Sequence, residues 1–270
     1  MPNPLFSIIT VTFNPGEGLA RTVDSLSAQR CRDFEQIIKD AGSTDGSVQQ
    51  LARQAKDYTP IVICQPDNGI FDAMNQALDH ASGKYVLFLN AGDLLFDGGV
   101  LEQVAKVVTQ EVDLGLVYGD YFSGPLQLVV KSPKRLSGFF LYRTTLCHQS
   151  CFAAREQIEK LGRFDTTYPV VADYDLLLRM VLGASVPYQY LPKTLCWYLG
   201  GGSSTQPVNA WRGGREAQTF RRRYFRPMER LLYGCLRAAS LPYLRIELMR
   251  SRRLATLQKM YTRAVNLWNS

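Results

Sequence analysis

The N-terminal part of the chain alternates four times between a short apolar run and a segment whose apolar residues have helical spacing. Leu5–Phe13 is the first run, and Gly18–Gln29 then places leucine and valine side chains three or four residues apart. Strands that alternate with helices require crossover connections, which produce a parallel sheet covered on both faces. We therefore predict an α/β fold with a mostly parallel sheet flanked by helices. The other pairs are Phe34–Lys39 with Thr44–Tyr58, Pro60–Cys64 with Gly69–Ser82, and Tyr85–Leu89 with Gly98–Gln110.

The alternation becomes less regular after Asp113. Leu114–Tyr121 and Leu126–Lys131 are predicted as shorter strands, for which an antiparallel arrangement stays open. A further helix is expected around Ala172–Leu182.

Polar turns that contain glycine follow each of the four predicted strands of the alternating part. Ligands of open parallel sheets bind beyond the carboxyl ends of the strands. The turns therefore predict one binding cleft. They are Asn14–Gly16, Asp40–Gly46, Pro66–Gly69 and Asn90–Asp93.

A dinucleotide site is the main rival interpretation of this cleft. Gly16 and Gly18 open a predicted helix after a strand, and Asp40 follows at a suitable distance. Arg21, however, stands where the third glycine of that motif allows close packing of helix on strand. The sequence also has no Gly-Lys-Ser/Thr run, which argues against a P-loop NTPase.

Charge is divided unevenly along the chain. Residues 205–270 carry 14 Lys and Arg against 3 Asp and Glu, a net charge of +11. The whole chain of 270 residues has 31 and 24, so residues 1–204 have 17 and 21, a net charge of −4. This division suggests an acidic body, 1–204, with a basic helical extension, 205–270.

The basic extension is predicted to be helical from Ala217 onward. Its apolar residues recur every three or four positions while arginines and a lysine occupy the others, which indicates an amphipathic basic helix. An anionic membrane surface is the expected partner; a solvated helix face or a dimer contact is the alternative. Nucleic acid is not expected, because the acidic body would repel it. The apolar residues are Leu254, Leu257, Tyr261, Val265 and Trp268.

The N-terminal residues lack the features of a secretory signal, and no apolar stretch reaches membrane-spanning length. The six cysteines contain no Cys-x-x-Cys pair, so reduced thiols are expected. We therefore expect a cytoplasmic protein that is peripheral at the inner face of the plasma membrane.

The motifs from Phe6 to about Ser204 resemble those of family 2 glycosyltransferases of the GT-A type. Ser7–Asn14 is similar to the family's opening strand, and Asp40–Ser47 to its Asp-Asp-Gly-Ser-Thr-Asp-Gly-Thr signature. The resemblance implies a GT-A-type fold and transfer of a sugar from a nucleotide sugar with inversion. Four segments resemble a subgroup that includes colanic-acid, capsule and O-antigen enzymes: Asp67–Asn75, Phe88–Asp93, His148–Ser150 and Ala172–Arg179.

Asp93 is the candidate metal ligand, because a carboxylate is a hard oxygen donor suited to Mg²⁺ or Mn²⁺ beside a diphosphate. Its alternative role is to cap the following segment. Many relatives carry aspartates where this chain has Asn90 and Gly92, and Ala41 replaces the second aspartate of the signature. Because these acidic residues are replaced, we also consider that the protein depends only weakly on a metal.

The resemblance also implies a set of donor-binding residues. Asp40 would accept hydrogen bonds from the base or ribose, although it could instead form the turn at Gly42. Gly69 leaves backbone N–H groups near a helix start, where a phosphate or a plain helix cap is equally consistent. The whole set is Thr12, Asn14, Asp40, Ser43, Asp67, Gly69, Asn75, Asn90, Ala91 and Gly92.

Asp173 is the candidate general base by resemblance, and it could also cap the helix that follows. His148 and Gln149 are assigned to donor or acceptor contact, not to proton transfer. Trp197 could stack on a sugar, although burial in the core is the more common use of a tryptophan.

We expect a non-processive sugar transferase that uses UDP- in preference to GDP-sugars and a lipid-linked saccharide acceptor in surface-polysaccharide biosynthesis. The Gln-x-x-Arg-Trp motif of processive synthases is absent. A non-catalytic nucleotide-sugar binding or scaffold protein and a nucleotidyltransferase remain as alternatives.

Overall fold

The computed structural model describes residues 3–51, 58–111, 113–200 and 207–239. Its first part confirms the predicted alternation. β1 pairs in parallel with β2 and β4, and β2 pairs in parallel with β3. All seven residues of β1 are buried, which explains its nearly continuous apolar sequence. The elements are β1 (Phe6–Thr12), α1 (Glu17–Ser27), β2 (Phe34–Asp40), α2 (Ser47–Gln50), β3 (Ile61–Cys64), α3 (Ile70–Leu78) and β4 (Tyr85–Phe88).

The second part completes a mixed sheet whose main path has the order β3-β2-β1-β4-β8-β6-β9-β5. β8 lies antiparallel between β4 and β6, and β9 runs parallel to β6. The carboxyl ends of β6 and β9 therefore lie at the same edge as those of β1 to β4. The elements are β5 (Leu94–Leu95), α4 (Val100–Gln110), β6 (Leu116–Ser123), β7 (Leu128–Val130), α5 (Gly138–Arg143), β8 (Cys151–Ala154), α6 (Arg155–Lys160), α7 (Ala172–Leu178), β9 (Tyr188–Tyr198), α8 (Pro207–Tyr224) and α9 (Pro227–Ala239).

Apolar side chains pack on both faces of the sheet. Ile9 and Val11 point to a core formed with α3, α5, α7 and α8. Phe6 and Ile8, which alternate with them along β1, point to a core formed with α4. The helix α1 adds a smaller cluster on Ile38. This arrangement fixes the sheet between two helical layers and leaves the carboxyl edge for a ligand.

Glycines bring the first and fourth strand ends close together. Gly16 has a φ of 55°, in the left-handed region, at the start of α1. A Cβ atom on Gly18 would lie 3.3 Å from the Cα of Gly92. Gly18, the second glycine of the pair considered for a dinucleotide, therefore packs on the turn that precedes Asp93.

The shorter predicted strands are also present, and β7 is antiparallel to β6. The predicted helix around Ala172–Leu182 consists of α7 followed by a π-helical turn, Arg179–Gly183. Of the predicted helix Thr44–Tyr58, the structure describes α2, and residues 52–57 lie outside the described residues.

The helix α8 packs against the acidic body. Phe220 is fully buried, and its ring contacts those of Tyr168 and Tyr174. Arg179 and Asp175 of α7 form an ion pair at 2.7 Å, and Asp175 is buried and accepts a hydrogen bond from the Tyr224 hydroxyl of α8. The amphipathic residues from Leu254 to Trp268 lie outside the described residues. Within the described ranges, no helix is long and apolar enough to cross a membrane.

Candidate active site

A cavity of about 420 Å³ lies at the carboxyl edge of the sheet, beyond β4, β6 and β9. Two aspartates line it, Asp93 after β4 and Asp173 in the first turn of α7. His148 and Gln149 also line it, in a short 3₁₀ turn that immediately precedes β8. Seven of the predicted site residues thus share one cavity: Asn90, Ala91, Gly92, Asp93, His148, Gln149 and Asp173.

Both carboxylate oxygens of Asp93 accept hydrogen bonds from neutral donors. The Gln149 amide donates to Oδ2 at 2.8 Å, and the Leu199 backbone N–H donates to Oδ1 at 3.0 Å. Burial raises the pKa of Asp93, although these two hydrogen bonds and the charge of His148 act in the opposite direction. Asp93 is therefore buried, and its side chain is held between the turn after β4, the 3₁₀ turn and the residue that follows β9.

Asp173 contacts His148, the first residue of the same 3₁₀ turn. Its Oδ2 lies 3.3 Å from His148 Nδ1, and its Oδ1 accepts the backbone N–H of Tyr174 at 2.9 Å. Val171, not Asp173, is the residue that precedes α7. Asp173 is therefore not the N-cap, and its carboxylate at the start of the helix also borders the cavity.

Asn90 contacts the imidazole from the other side. Its amide nitrogen lies 3.3 Å from His148 Nε2. The amide oxygen is buried and has no hydrogen-bond partner among the described residues. A buried polar atom without a partner is costly, so this oxygen is available to a ligand group in the cavity.

The ends of β1 and β2 form a second, adjoining set of contacts. Ser43 donates its hydroxyl and its backbone N–H to Asp40. Asn14 donates its backbone N–H to Ser43 Oγ at 2.8 Å and accepts the Thr44 N–H at 2.8 Å. Thr12 has a buried hydroxyl without a partner in the described residues. These residues do not line the 420 Å³ cavity, but they hold two of its neighbouring strand ends together.

A buried ion pair holds the turn after β3. Lys39 is fully buried and lies 2.8 Å from Asp67. Asp67 also accepts the backbone N–H of Gly69, which is the N-cap residue of α3. The N–H considered for a phosphate is therefore already bonded to Asp67.

The structure does not bring Asn75 or Trp197 to the cavity. Asn75 forms two hydrogen bonds with the backbone of Phe164, at 2.9 and 3.1 Å. Trp197 packs on Phe122 with ring centroids 4.8 Å apart. Instead, Tyr121 and Tyr198 present aromatic rings to the cavity. The other site residues are predicted because they follow the carboxyl ends of parallel strands. The same rule would predict both tyrosines if the sequence showed that β6 and β9 are parallel to β4.

Comparisons with known proteins identify the family of this chain. Residues 7–157 match glycosyl transferase family 2. A PGL/p-HBAD biosynthesis glycosyltransferase from Mycobacterium bovis is 32% identical over 215 residues, which cover 76% of this chain and 81% of that protein. The chain belongs to glycosyl transferase family 2. It is therefore a glycosyltransferase, as the motifs predicted.

Solved structures confirm the GT-A-type fold of this family 2 member. Staphylococcus aureus TarS 1–349 superimposes with a TM-score of 0.60 at 17% identity, over 81% of this chain and 65% of that chain. The mannosyltransferase PcManGT from Pyrobaculum calidifontis, in complex with GDP-Man and Mn²⁺, gives a TM-score of 0.59 at 18% identity, over 99% and 88%. At these identities the likeness concerns the fold.

Proposed function

We propose that this family 2 enzyme transfers a sugar from a nucleoside-diphosphate sugar to a saccharide acceptor with inversion, one sugar per encounter. The observation that supports this proposal is that Asp93 and Asp173 line one cavity at the carboxyl edge of the sheet. Such a site needs a base for the attacking hydroxyl, which one carboxylate supplies, and a stabilised leaving group, for which the other carboxylate would hold a divalent cation.

Asp173 is the proposed general base. Its carboxylate takes the proton of the acceptor hydroxyl while the hydroxyl oxygen bonds to the anomeric carbon. The bond from that carbon to the nucleoside diphosphate breaks, and the electron pair leaves with the diphosphate. Because attack and departure occur on opposite sides of the carbon, the configuration inverts.

The donor is proposed to bind along the β1, β2, β3 and β4 ends. The Asp40–Ser43–Asn14 contacts give this edge a fixed shape, and the Thr12 hydroxyl has no protein partner among described residues. UDP-sugars are proposed in preference to GDP-sugars. TarS has been solved with UDP-GlcNAc and PcManGT with GDP-Man, so both bases occur among structural neighbours.

A divalent cation, Mg²⁺ or Mn²⁺, is proposed as cofactor. The described residues contain no group of three or more His, Cys, Asp or Glu placed to hold a metal. The fit therefore rests on the carboxylate of Asp93 and the unpartnered amide oxygen of Asn90, with donor oxygens completing the ligand set. When bound, the cation neutralises charge on the leaving diphosphate.

The acceptor is proposed to be lipid-linked, with residues 205–270 as a basic extension that binds the anionic inner face of the plasma membrane. The α9 helix supports this, because it exposes Met228, Leu231, Leu232 and Leu236 together with its own Arg237. Exposed apolar side chains next to basic ones suit an anionic lipid surface. The relative named for PGL/p-HBAD biosynthesis is consistent with a role in making a surface saccharide.

The proposal is tested by nucleoside-diphosphate release from a panel of UDP- and GDP-sugars, with Mn²⁺ or Mg²⁺ and a membrane extract as acceptor source. Release from one donor, with a loss of about 100-fold or more in Asp173→Asn and in Asp93→Ala, supports it. Asn75→Ala is a matched comparison outside the cavity. Donor binding without release in the wild type would instead support a binding or scaffold protein.

A further inference from the structure

We infer that the 3₁₀ turn His148–Ser150 positions both carboxylates of the site, with His148 holding Asp173 and Gln149 holding Asp93. The inference rests on the proposed function, because Asp173 and Asp93 have defined roles only there. It gives His148 and Gln149 positioning roles beyond the substrate contacts expected of them.

The His148 contact has a defined proton arrangement. Asn90 donates its amide N–H to Nε2, so the ring proton of a neutral imidazole lies on Nδ1. Nδ1 faces Asp173 Oδ2 at 3.3 Å. The ring is held between the turn after β4 and α7, and its N–H orients a carboxylate that, among the described residues, has one other hydrogen bond, to the backbone of Tyr174. An oriented carboxylate presents a free lone pair to the acceptor hydroxyl in a fixed direction.

The Gln149 contact is buried more deeply. Gln149 is 4% exposed, and its amide nitrogen lies 2.8 Å from Asp93 Oδ2. Its amide oxygen accepts the thiol of Cys147, which fixes which end of the amide faces Asp93. The same residue therefore prevents Asp93 from turning away from the cavity.

Two consecutive residues thus point at two carboxylates that are 80 residues apart in sequence. The turn lies directly before β8, the antiparallel strand between β4 and β6. Because β8 is paired on both sides, the turn is anchored to the centre of the sheet. His148 therefore orients the proposed base, Asp173, and Gln149 orients Asp93 on the leaving-group side.

The experiment compares two variants at each position. His148→Asn keeps an N–H donor near Nδ1, whereas His148→Phe keeps the ring and removes the donor. We expect His148→Phe to lower kcat about 100-fold with the donor KM within about threefold, and His148→Asn to recover at least about tenfold of that loss. A role in packing alone would give the opposite order, because Phe fills the space better than Asn.

Gln149→Met keeps the length and removes the donor, and Gln149→Glu places a second acceptor against Asp93. We expect both to weaken UDP binding in the presence of Mn²⁺ by about tenfold, measured by calorimetry, with a smaller effect on kcat than His148→Phe has. Binding of UDP without Mn²⁺ serves as the reference. A turn with only a structural role would affect kcat and binding alike in both sets of variants, and that result overturns the inference.

A double variant separates the inference from the proposed function. If His148 acts through Asp173, His148→Phe combined with Asp173→Asn is no slower than Asp173→Asn alone. Additive losses overturn the positioning role while leaving Asp173 as base. Full activity in Asp173→Asn overturns the proposed base and, with it, the role of His148. Circular dichroism and melting temperature establish that each variant is folded.

Discussion

Asp93 combines burial with an ionisable group, and this combination has consequences for stability as well as for catalysis. Its carboxylate is 7% exposed, and burial raises its pKa above the ordinary value of 3.8. The folded state therefore binds this proton more tightly than the unfolded state does. The stability contributed by the protonated form is lost as pH rises through the raised pKa.

We predict that Asp93→Asn is at least as stable as the wild type at neutral pH, because the amide has no charge to bury. Its Oδ1 can still accept the Leu199 N–H, and the Gln149 amide can turn to accept the new N–H₂ group by giving up its hydrogen bond from the Cys147 thiol. The advantage should shrink as pH falls through the pKa of Asp93. Thermal unfolding of both proteins across this range checks the prediction, and a wild type that is more stable at neutral pH contradicts it.

For single residues, the sequence predicts which residue types belong to the site, but it does not predict all of their hydrogen-bond partners. The motifs gave Asp93, His148, Gln149 and Asp173, which share the cavity. Asn75 lies within such a motif, yet its amide binds the backbone at Phe164, 89 residues away. A local motif carries no information on a contact between residues so far apart in the sequence, since that contact depends on how α3 packs.

Single helices and strands are held in place by contacts that one substitution can remove. Lys39 on β2 has no exposed surface and binds Asp67 in the turn before α3. A buried charge without its partner retains its full desolvation cost.

We predict that Lys39→Met lowers the free energy of unfolding by about 3 kcal/mol or more. Lys39→Met combined with Asp67→Asn should recover a large part, since no buried charge is left and Asn still accepts the Gly69 N–H. Urea unfolding of the single and double variants measures the difference. A double variant that is less stable than Lys39→Met would argue against this account.

The helix α8 offers a second test at the scale of elements. Phe220 is fully buried between Tyr168 and Tyr174. We predict that Phe220→Ala costs about 3–5 kcal/mol of unfolding free energy, because it leaves a cavity in the main core. Exposed Gln218→Ala on the same helix is the control, with a change within about 0.5 kcal/mol. If Phe220→Ala were equally mild, α8 would not contribute to the stability of the body.

Elements with clear periodicity were predictable, and the others were not. The parallel strands β1, β2 and β4 follow from their apolar runs. β8 has four residues, Cys151–Ala154, which is too short for alternation to be distinguished from chance. β9 includes Pro192 and Lys193, so its sequence does not resemble a buried strand, and its pairing with β6 is irregular at Gly119 and Asp120. Tyr198, at the end of β9, was missed for the same reason.

Charge is distributed unevenly over the whole molecule. Residues 1–204 have a net charge of −4, and residues 205–270 have a net charge of +11. The division of the chain at residue 204 stays a proposal. The packing of α8 shows that at least part of the basic segment is anchored on the body, with Arg221 donating to the Tyr142 carbonyl of α5. The residues after α5, Thr144 and Thr145, border the cavity. Tyr233 of α9 packs on Tyr142 of α5, so a membrane bound at α9 would be separated from the site by α5.

We predict that the protein sediments with vesicles containing anionic lipid and that binding falls about tenfold or more when ionic strength rises from about 0.05 to 0.5 M, because screening weakens each arginine contact. Leu232→Asp should weaken binding further by placing a charge on the apolar face of α9. Neutral phosphatidylcholine vesicles are the control. Salt-independent binding, or equal binding to neutral vesicles, contradicts the prediction.

The hydrogen bond from the Leu199 backbone to Asp93 spans 106 residues of the chain. During translation, Asp93 leaves the ribosome long before the strand that supplies this donor. The nascent polypeptide therefore carries an incomplete site until β9 has emerged and paired with β6. The cation site proposed at Asp93 is therefore complete only after the segment that contains Leu199 has been synthesised and placed beside it.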